Sequence, residues 1–433
     1  MTRVDSTDLH RSRDAEYEVV VIGAGPVGLL LALLLGSMGI KTLVLDKRAG
    51  PPRKSMAIGI TPPSLNILGR VGLDRLFIRE GLRIRSATVQ ENRAQIGRVR
   101  FNNIKSPYDY ILSMPQAHTV RLLWAALDNY PCVEKLRGVE FVSVQEENGI
   151  VCVQLREPEW GINFTVTCCF LAGCDGCKSG VRQIAGISVR QKYYRQKWIM
   201  GDFVDKTTLG DEAYLFFGPH CSVESFPLPG GLRRWILLLP SHFCDPNRSD
   251  YLLKTIKQHT GHDLTGCLVS DSNSFGAQRM AAKTYYRGRV ALCGDAAHVL
   301  SSIGGQGMNV GFADADMLAD VLHLALREGA DWPTLAAWYD KLRRESFNVA
   351  ANRAACSMWL GTRRGSIASC VRKAFLRNIL FSKAVSDKIA PFFAMLTIPH
   401  NRPTDKKFSW GDWLRNTTIS KGRIACAFRS SKN

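Results

Sequence analysis

Acidic residues are scarce in this chain: 38 Asp and Glu stand against 57 Lys and Arg, a net charge of +19. The deficit is local, because residues 341–433 hold 19 Lys and Arg but only four Asp and Glu. The rest is nearly balanced, which argues against a nucleic-acid surface spread along the chain. A regular cysteine framework is also missing. The 13 cysteines are odd in number and scatter from Cys132 to Cys426, a pattern that excludes a disulfide-stapled secreted fold and fits a reducing, cytoplasmic setting. Residues 1–16 contain no apolar core of a secretory leader and read as a disordered lead. The most apolar stretch, residues 19–36, is interrupted by Gly23, Gly25, Pro26 and Gly28, and its longest aliphatic run covers only 29–35. A membrane span needs roughly 20 apolar residues. No internal repeat is visible.

What is present points to an α/β protein. At 45% apolar and 22% charged residues the composition is that of a globular chain, long enough for two or three domains. Residues 19–22 (VVVI) form a β-branched run of the kind buried on both faces of a parallel sheet. The run empties into Gly23-Ala24-Gly25-Pro26-Val27-Gly28, a GxGxxG spacing. An apolar helix follows to about Gly39, then a second strand at 41–45 closed by Asp46 and Lys47. Each part has a task in dinucleotide binding: Gly23 allows a tight turn, Gly25 lets backbone approach a pyrophosphate, and Gly28 lets helix and strand pack closely. The helix N-terminus offers N–H groups to phosphate, and Asp46 is placed for ribose hydroxyls. NAD and FAD are not distinguished at this point.

Two more turns of the same type follow. Residues 168–172 (CCFLA) read as a strand running into Gly173-Cys174-Asp175-Gly176-Cys177. Cys174 and Cys177 form a CxxC, but no second CxxC or His pair follows at ligand spacing, so no metal is expected. Residues 289–293 read as another strand, followed by Gly294-Asp295-Ala296-Ala297-His298 and by Gly304-Gly305-Gln306-Gly307-Met308-Asn309. Glycines there can bring backbone N–H groups against a flat ring or a phosphate. Asp295 can accept from a ribityl hydroxyl.

In this order, GxGxxG, CDG and GDAAH with GGQGMN resemble the group A flavin monooxygenases built like p-hydroxybenzoate hydroxylase, over about residues 19–324. The resemblance implies a Rossmann-like FAD-binding domain with an inserted, mainly antiparallel β-sheet substrate domain and a C-terminal helical region. It implies one FAD, with Gly23, Gly25, Pro26, Val27, Gly28, Asp46 and Lys47 on the adenosine diphosphate half. Gly294, Asp295, Gly305, Gly307, Met308 and Asn309 then serve the ribityl chain and isoalloxazine. Asp175 resembles the element that serves both FAD and NAD(P)H. Gln116, in the segment 114–123, looks like the glutamine that touches the flavin, with Arg121 one helical turn further on. There are departures: relatives usually carry Arg where Met56 stands, leaving Arg53 or Lys54 for the phosphate contact, and Pro where Ser302 stands. Val120 replaces a commonly polar residue.

The implied domains are a lead at 1–16, a FAD-binding domain at 17–190 and 280–345, a substrate-binding β domain at 191–279, and C-terminal helices with a basic tail at 346–433. In the substrate domain, segments near 198–204, 213–217, 222–226 and 233–239 read as antiparallel strands. Tyr214, Phe216, Phe217 and Phe226 are candidates for a substrate chamber, with plain core packing as the alternative. Residues 332–352 and 357–396 read as helices. The second is basic through Arg363, Arg364, Arg372, Lys373, Arg377, Lys383 and Lys388, and is expected to form a solvated cover over the FAD domain in preference to a membrane anchor.

The resemblance implies an NAD(P)H-dependent monooxygenase that hydroxylates a phenolic or polyketide-type aromatic through a C4a-hydroperoxyflavin, with NADPH or NADH as reductant and dioxygen as co-substrate. No residue declares itself as the catalytic base; His298 and Tyr214 are the candidates. The alternatives are a halogenase or reductase on the same fold, the halogenase supported only by the Trp410 and Trp413 spacing, and a redox-inactive flavin-binding protein.

Overall fold

The strand Tyr17–Ile22 lies at the centre of a parallel sheet because both of its faces are apolar. It pairs in parallel with Thr42–Asp46 on one side and with the second half of Ile162–Gly173 on the other. Val133–Arg137 continues the sheet beyond Thr42–Asp46, and Val290–Leu292 continues it beyond Ile162–Gly173. The computed structural model describes residues 15–51, 57–91, 93–219, 221–240, 248–269, 272–301, 305–363, 365–381 and 383–400. Arg53, Lys54, Met56, Ser302, Gly304, Trp410 and Trp413 lie outside them.

The helix Pro26–Ser37 is apolar all round, and Leu29 through Leu35 are 0% exposed. Such a helix must be covered on every side. The sheet and the helices Gln116–Ala126 and Gly307–Arg327 cover it. No helix among the described residues is long and apolar enough to cross a membrane.

A second sheet of eight strands is mainly antiparallel, in the order His298–Val299, Asn273–Ala282, Val189–Val204, Leu232–Leu238, Ser222–Leu228, Ala213–Phe217, Ser86–Glu91, Ala94–Arg100. One pairing, Ala213–Phe217 with Ser86–Glu91, is parallel. The sheet therefore draws strands from outside 191–279. One face is packed by the helix Arg248–Thr260, whose Leu252 and Ile256 meet Ile199, Phe203, Trp235 and Leu237. At its edge, Met280 pairs with Val299, next to the GDAAH turn.

The C-terminal helices depart from expectation. Trp332–Thr362 runs past the expected end near 352, and a single helix over 357–396 does not form. Gly365, at φ +99°, breaks it; Ser366–Phe375, a π segment at Leu376–Leu380 and Lys383–Phe393 follow. Arg372 is not on a solvated cationic face as expected, but is 3% exposed. Its Nη2 donates to Glu91 Oε1 at 2.9 Å and to the Gly218 carbonyl at 3.0 Å, with the guanidinium 4.9 Å from the Phe217 ring centre. A buried carboxylate on a distant strand captures it. Lys373, Arg377 and Lys388 remain exposed.

Candidate functional site

Three glycine turns leave the same end of three neighbouring parallel strands. Ile22 is in register with both Leu45 and Gly173, and Gly173 with Leu292. The GxGxxG, CDG and GDAAH turns therefore meet above the sheet, where open α/β sheets bind ligands. Gly23 is at φ +106°, and a Cβ there would overlap the Cys174 carbonyl. A Cβ on Gly28 would overlap the Gly23 carbonyl. Val27 fills the gap to the third turn, where a Cβ on Gly294 or Gly311 would come within 3.1 or 2.6 Å of it. Packing demands these glycines.

Gly25, Gly305 and Gly307 differ, because a Cβ on any of them would meet nothing within 4 Å among the described residues. Gly305 stands at φ +63°, which by itself favours glycine; for Gly25 and Gly307 neither packing nor a positive φ explains the missing side chain, whereas close approach of a ligand does. Gly25 caps the Pro26–Ser37 helix without a side-chain hydrogen bond, and Gln306 likewise caps Gly307–Arg327. Both helix ends can receive an anion or a carbonyl oxygen.

The carboxylates surround this open space. Asp46 accepts from Ala24 N at 2.9 Å and from Arg48 Nε and Nη2 at 2.9 and 2.8 Å. Burial raises its pKa, but the Arg48 hydrogen bonds outweigh that and hold it below the usual range. Lys47 beside it is exposed. Asp175 Oδ2 accepts from Val181 N at 3.1 Å, and its buried Oδ1 has no hydrogen-bond partner among the described residues. Asp295 is exposed to the cleft, although Gly294 and Ala296 on either side are buried. It makes no hydrogen bond among the described residues. Crowding by the surrounding protein raises its carboxyl, with His298 opposing and Asp314 adding to the shift. Two open helix ends, three unfilled glycine positions and an unengaged carboxylate at the third turn fit FAD.

Gln116 begins its helix, its Oε1 3.3 Å from Ala57 N, and Arg121 on the same helix is exposed and unpaired among the described residues. Asn309 acts as a latch: its side chain bonds Thr61 N at 2.9 Å and the Gly59 and Gly305 carbonyls at 2.9 and 3.0 Å. Met308 is buried beside it.

Arginines missed at the level of sequence hold the turns together. Arg182 donates to the Ala296 carbonyl at 2.7 Å and to the Cys177 carbonyl at 2.9 Å, joining the second turn to the third. His298 is 1% exposed, so it is sealed from the cleft. Its Nε2 lies 2.5 Å from Asp314 Oδ2, which also accepts from Gly294 N at 3.0 Å; Asp314 Oδ1 accepts from Arg343 Nε at 2.6 Å. Burial raises the Asp314 pKa, but His298 and Arg343 together hold it below the usual value. This geometry gives His298 a structural place under the turn. Cys174 and Cys177 are free thiols, and no metal-binding cluster occurs among the described residues.

Tyr214 also falls away from the cleft. It and Phe216 lie on the sheet face packed by Arg248–Thr260, while Phe217 and Phe226 lie on the other. Strand alternation makes the division.

Residues 16–354 match the FAD binding domain family. Among curated proteins, the chain is 27% identical to a rifampicin monooxygenase of Streptomyces venezuelae over 69% of this chain and 62% of the relative. It is 29% identical to the 12-dehydrotetracycline 5-monooxygenase/anhydrotetracycline 6-monooxygenase of Streptomyces rimosus over 76% of this chain and 66% of the relative. It thus spans just under two thirds of either relative. The fold is similar to a crystal structure of p-nitrophenol 4-monooxygenase from Pseudomonas putida, at TM-score 0.81 and 23% identity over 89% of this chain and 99% of that one. It is also similar to OxyS anhydrotetracycline hydroxylase from Streptomyces rimosus, at TM-score 0.73 and 25% identity over 89% and 77%. The match over 16–354 agrees with the three turns in their order: the chain belongs to the FAD binding domain family, and its motifs are those of the group A flavin monooxygenases.

Proposed function

We propose that this protein is an NAD(P)H-dependent flavin monooxygenase that hydroxylates an activated aromatic ring. The observation that carries the reading is the meeting of three turns around glycines that packing does not require, beside the unengaged carboxylate of Asp295. The rifampicin, tetracycline and nitrophenol relatives support an aromatic substrate of phenolic or polyketide type.

Bound FAD supplies electron transfer from a nicotinamide and the activation of dioxygen for transfer of one oxygen atom. The chain supplies position and seclusion. Gly25 and the start of Pro26–Ser37 hold the pyrophosphate, Asp46 the ribose and Asp295 the ribityl hydroxyls. Gly305 and Gly307 let backbone N–H groups reach the ring. The second sheet walls the reacting carbon from water, which would otherwise divert the oxygen to hydrogen peroxide. Buried Asp314, Arg343 and Arg182 keep the turns fixed, so orientation is set before the substrate arrives.

The test is consumption of NADPH and NADH by the FAD-loaded protein with a panel of phenols and polyketide aromatics, with product mass measured. Substrate-stimulated consumption with a mass gain of one oxygen is expected. No nicotinamide oxidation with any aromatic present, and no product, would refute it in favour of a redox-inactive flavin-binding protein.

A further inference from the structure

The strands Ala213–Phe217, Ser222–Leu228 and Leu232–Leu238 lie side by side, and the pleat sends alternate residues to opposite faces. Phe216, Val223, Trp235 and Leu237 fill the core under Arg248–Thr260. On the other face Leu215, Glu224 and Ile236 form one cross-strand row, and all three are half-buried.

One end of this row lies beside the residues that follow the third turn. Ile236 packs with Trp198 and Met358, and Ser301, three residues after His298, lies with its Oγ 3.6 Å from the Met358 sulfur. At the other end of the Glu224 strand, Ser113 Oγ donates to the Pro227 carbonyl at 2.7 Å, three residues before Gln116. The Glu224 strand is thus tied at one end to the segment before Gln116, and its neighbour Ile236 reaches, through Met358, the residues after the third turn.

Its surroundings give it no reason to be acidic. Glu224 has no hydrogen bond or ion pair among the described residues. The charges along this face are engaged elsewhere: Asp202 with Arg234 at 2.7 Å, and Glu91 with Arg372 beyond Phe217. Ser301, Met358 and Gly361, which pack against the face, do not titrate, and Arg83 of the adjoining Leu82–Ile84 strand lies over the Tyr110 ring. Crowding by protein, with nothing to offset it, raises the Glu224 carboxyl to about 7. A half-buried, unpartnered carboxylate between the apolar cross-strand neighbours Leu215 and Ile236 costs stability, so a role in binding is the natural account of it. A carboxylate accepts hydrogen bonds and repels other anions.

We propose that Glu224 anchors the substrate by accepting a hydrogen bond from a ring hydroxyl or amino group, so that the site takes aromatic hydrogen-bond donors and rejects aromatic carboxylates. This rests on the monooxygenase reading and adds the substrate class to it.

The test is titration of the oxidised holoenzyme with p-cresol and with 4-methylbenzoate, read by perturbation of the flavin absorbance and therefore independent of turnover. Wild-type protein is expected to bind p-cresol at least about tenfold more tightly, a difference of about 1.4 kcal/mol. Glu224→Gln should lose about tenfold of the p-cresol affinity and narrow the gap while retaining FAD. The wild type alone provides a second reading. From pH 6 to 8 its p-cresol affinity should rise and its 4-methylbenzoate affinity fall, since p-cresol itself, like tyrosine, ionises only near pH 10. Equal affinity for the two probes, a flat pH profile, an unaffected Gln variant or no p-cresol binding would each overturn the proposal. If p-cresol is nonetheless hydroxylated, only Glu224 is refuted; if selectivity holds and no aromatic is ever oxidised, only the monooxygenase reading is.

Discussion

Replacing Asp314 by Asn tests whether the third turn stands on a buried charge network. Asp314 is 0% exposed and carries three hydrogen bonds, from His298 Nε2, Arg343 Nε and Gly294 N. Asn keeps the volume but removes the charge and turns an N–H₂ donor toward groups that are themselves donors. Arg343, also 0% exposed, is left with Ser346 Oγ and the Val310 carbonyl as its partners. Breaking a buried ion pair from one side costs about 3–5 kcal/mol. Urea unfolding of the apoprotein, followed by tryptophan fluorescence, should record a loss of that size. FAD affinity should fall as well, because Gly294 N is the first donor of the turn that presents Asp295. The pH dependence follows from the sign of the shift. A carboxylate held below its unfolded pKa stabilises fully above about pH 3.9 and loses that contribution as pH falls further. The gap between wild type and Asp314→Asn should therefore close below about pH 4. Adding Arg343→Met to Asp314→Asn should recover part of the loss, since removing both charges is far less costly than stranding one. A loss below about 1 kcal/mol for Asp314→Asn would refute the network.

Asp295→Ala should weaken FAD binding about 10- to 100-fold, the worth of hydrogen bonds to a charged acceptor, measured by flavin titration; retention equal to wild type would remove Asp295 from the site. Arg372→Met strands Glu91 and should cost about 3–5 kcal/mol in urea unfolding, whereas Lys373→Glu on the exposed side should stay within about 0.5 kcal/mol. Changing Cys174 and Cys177 together to Ala should leave FAD content intact, and a stoichiometric metal lost on that change would contradict their place as bystanders.

The turns were legible in sequence because each is local: strand end, glycines and helix start lie within 16 residues even in the longest, from Leu292 to Gly307, and the structure brings the three together in register. What holds them was not. Arg343 reaches Asp314 from 29 residues away and Arg372 reaches Glu91 from 281, and no local pattern marks such pairs. The aromatics of 213–217 misled for a related reason. With Tyr214 and Phe216 on one face and Phe217 on the other, alternation cannot say which face is the chamber; only the helix Arg248–Thr260 decides it. Glu224 carried no signal until its cross-strand neighbours were known. The break at Gly365 was readable in principle, since a glycine between two basic stretches permits the left-handed φ found there.

The central claim, that one FAD sits where the three turns meet, is tested most directly by titrating FAD into apoprotein of the wild type and of Gly25→Val, with each apoprotein's melting temperature measured alongside. Gly25 has φ −77° and ψ 178°, which a side-chain-bearing residue can adopt, and a Cβ there meets nothing within 4 Å among the described residues. The variant should fold as the wild type does and bind no FAD, while the wild type binds one FAD per chain. A Gly25→Val protein that binds FAD as tightly as wild type would place the pyrophosphate elsewhere and contradict the site.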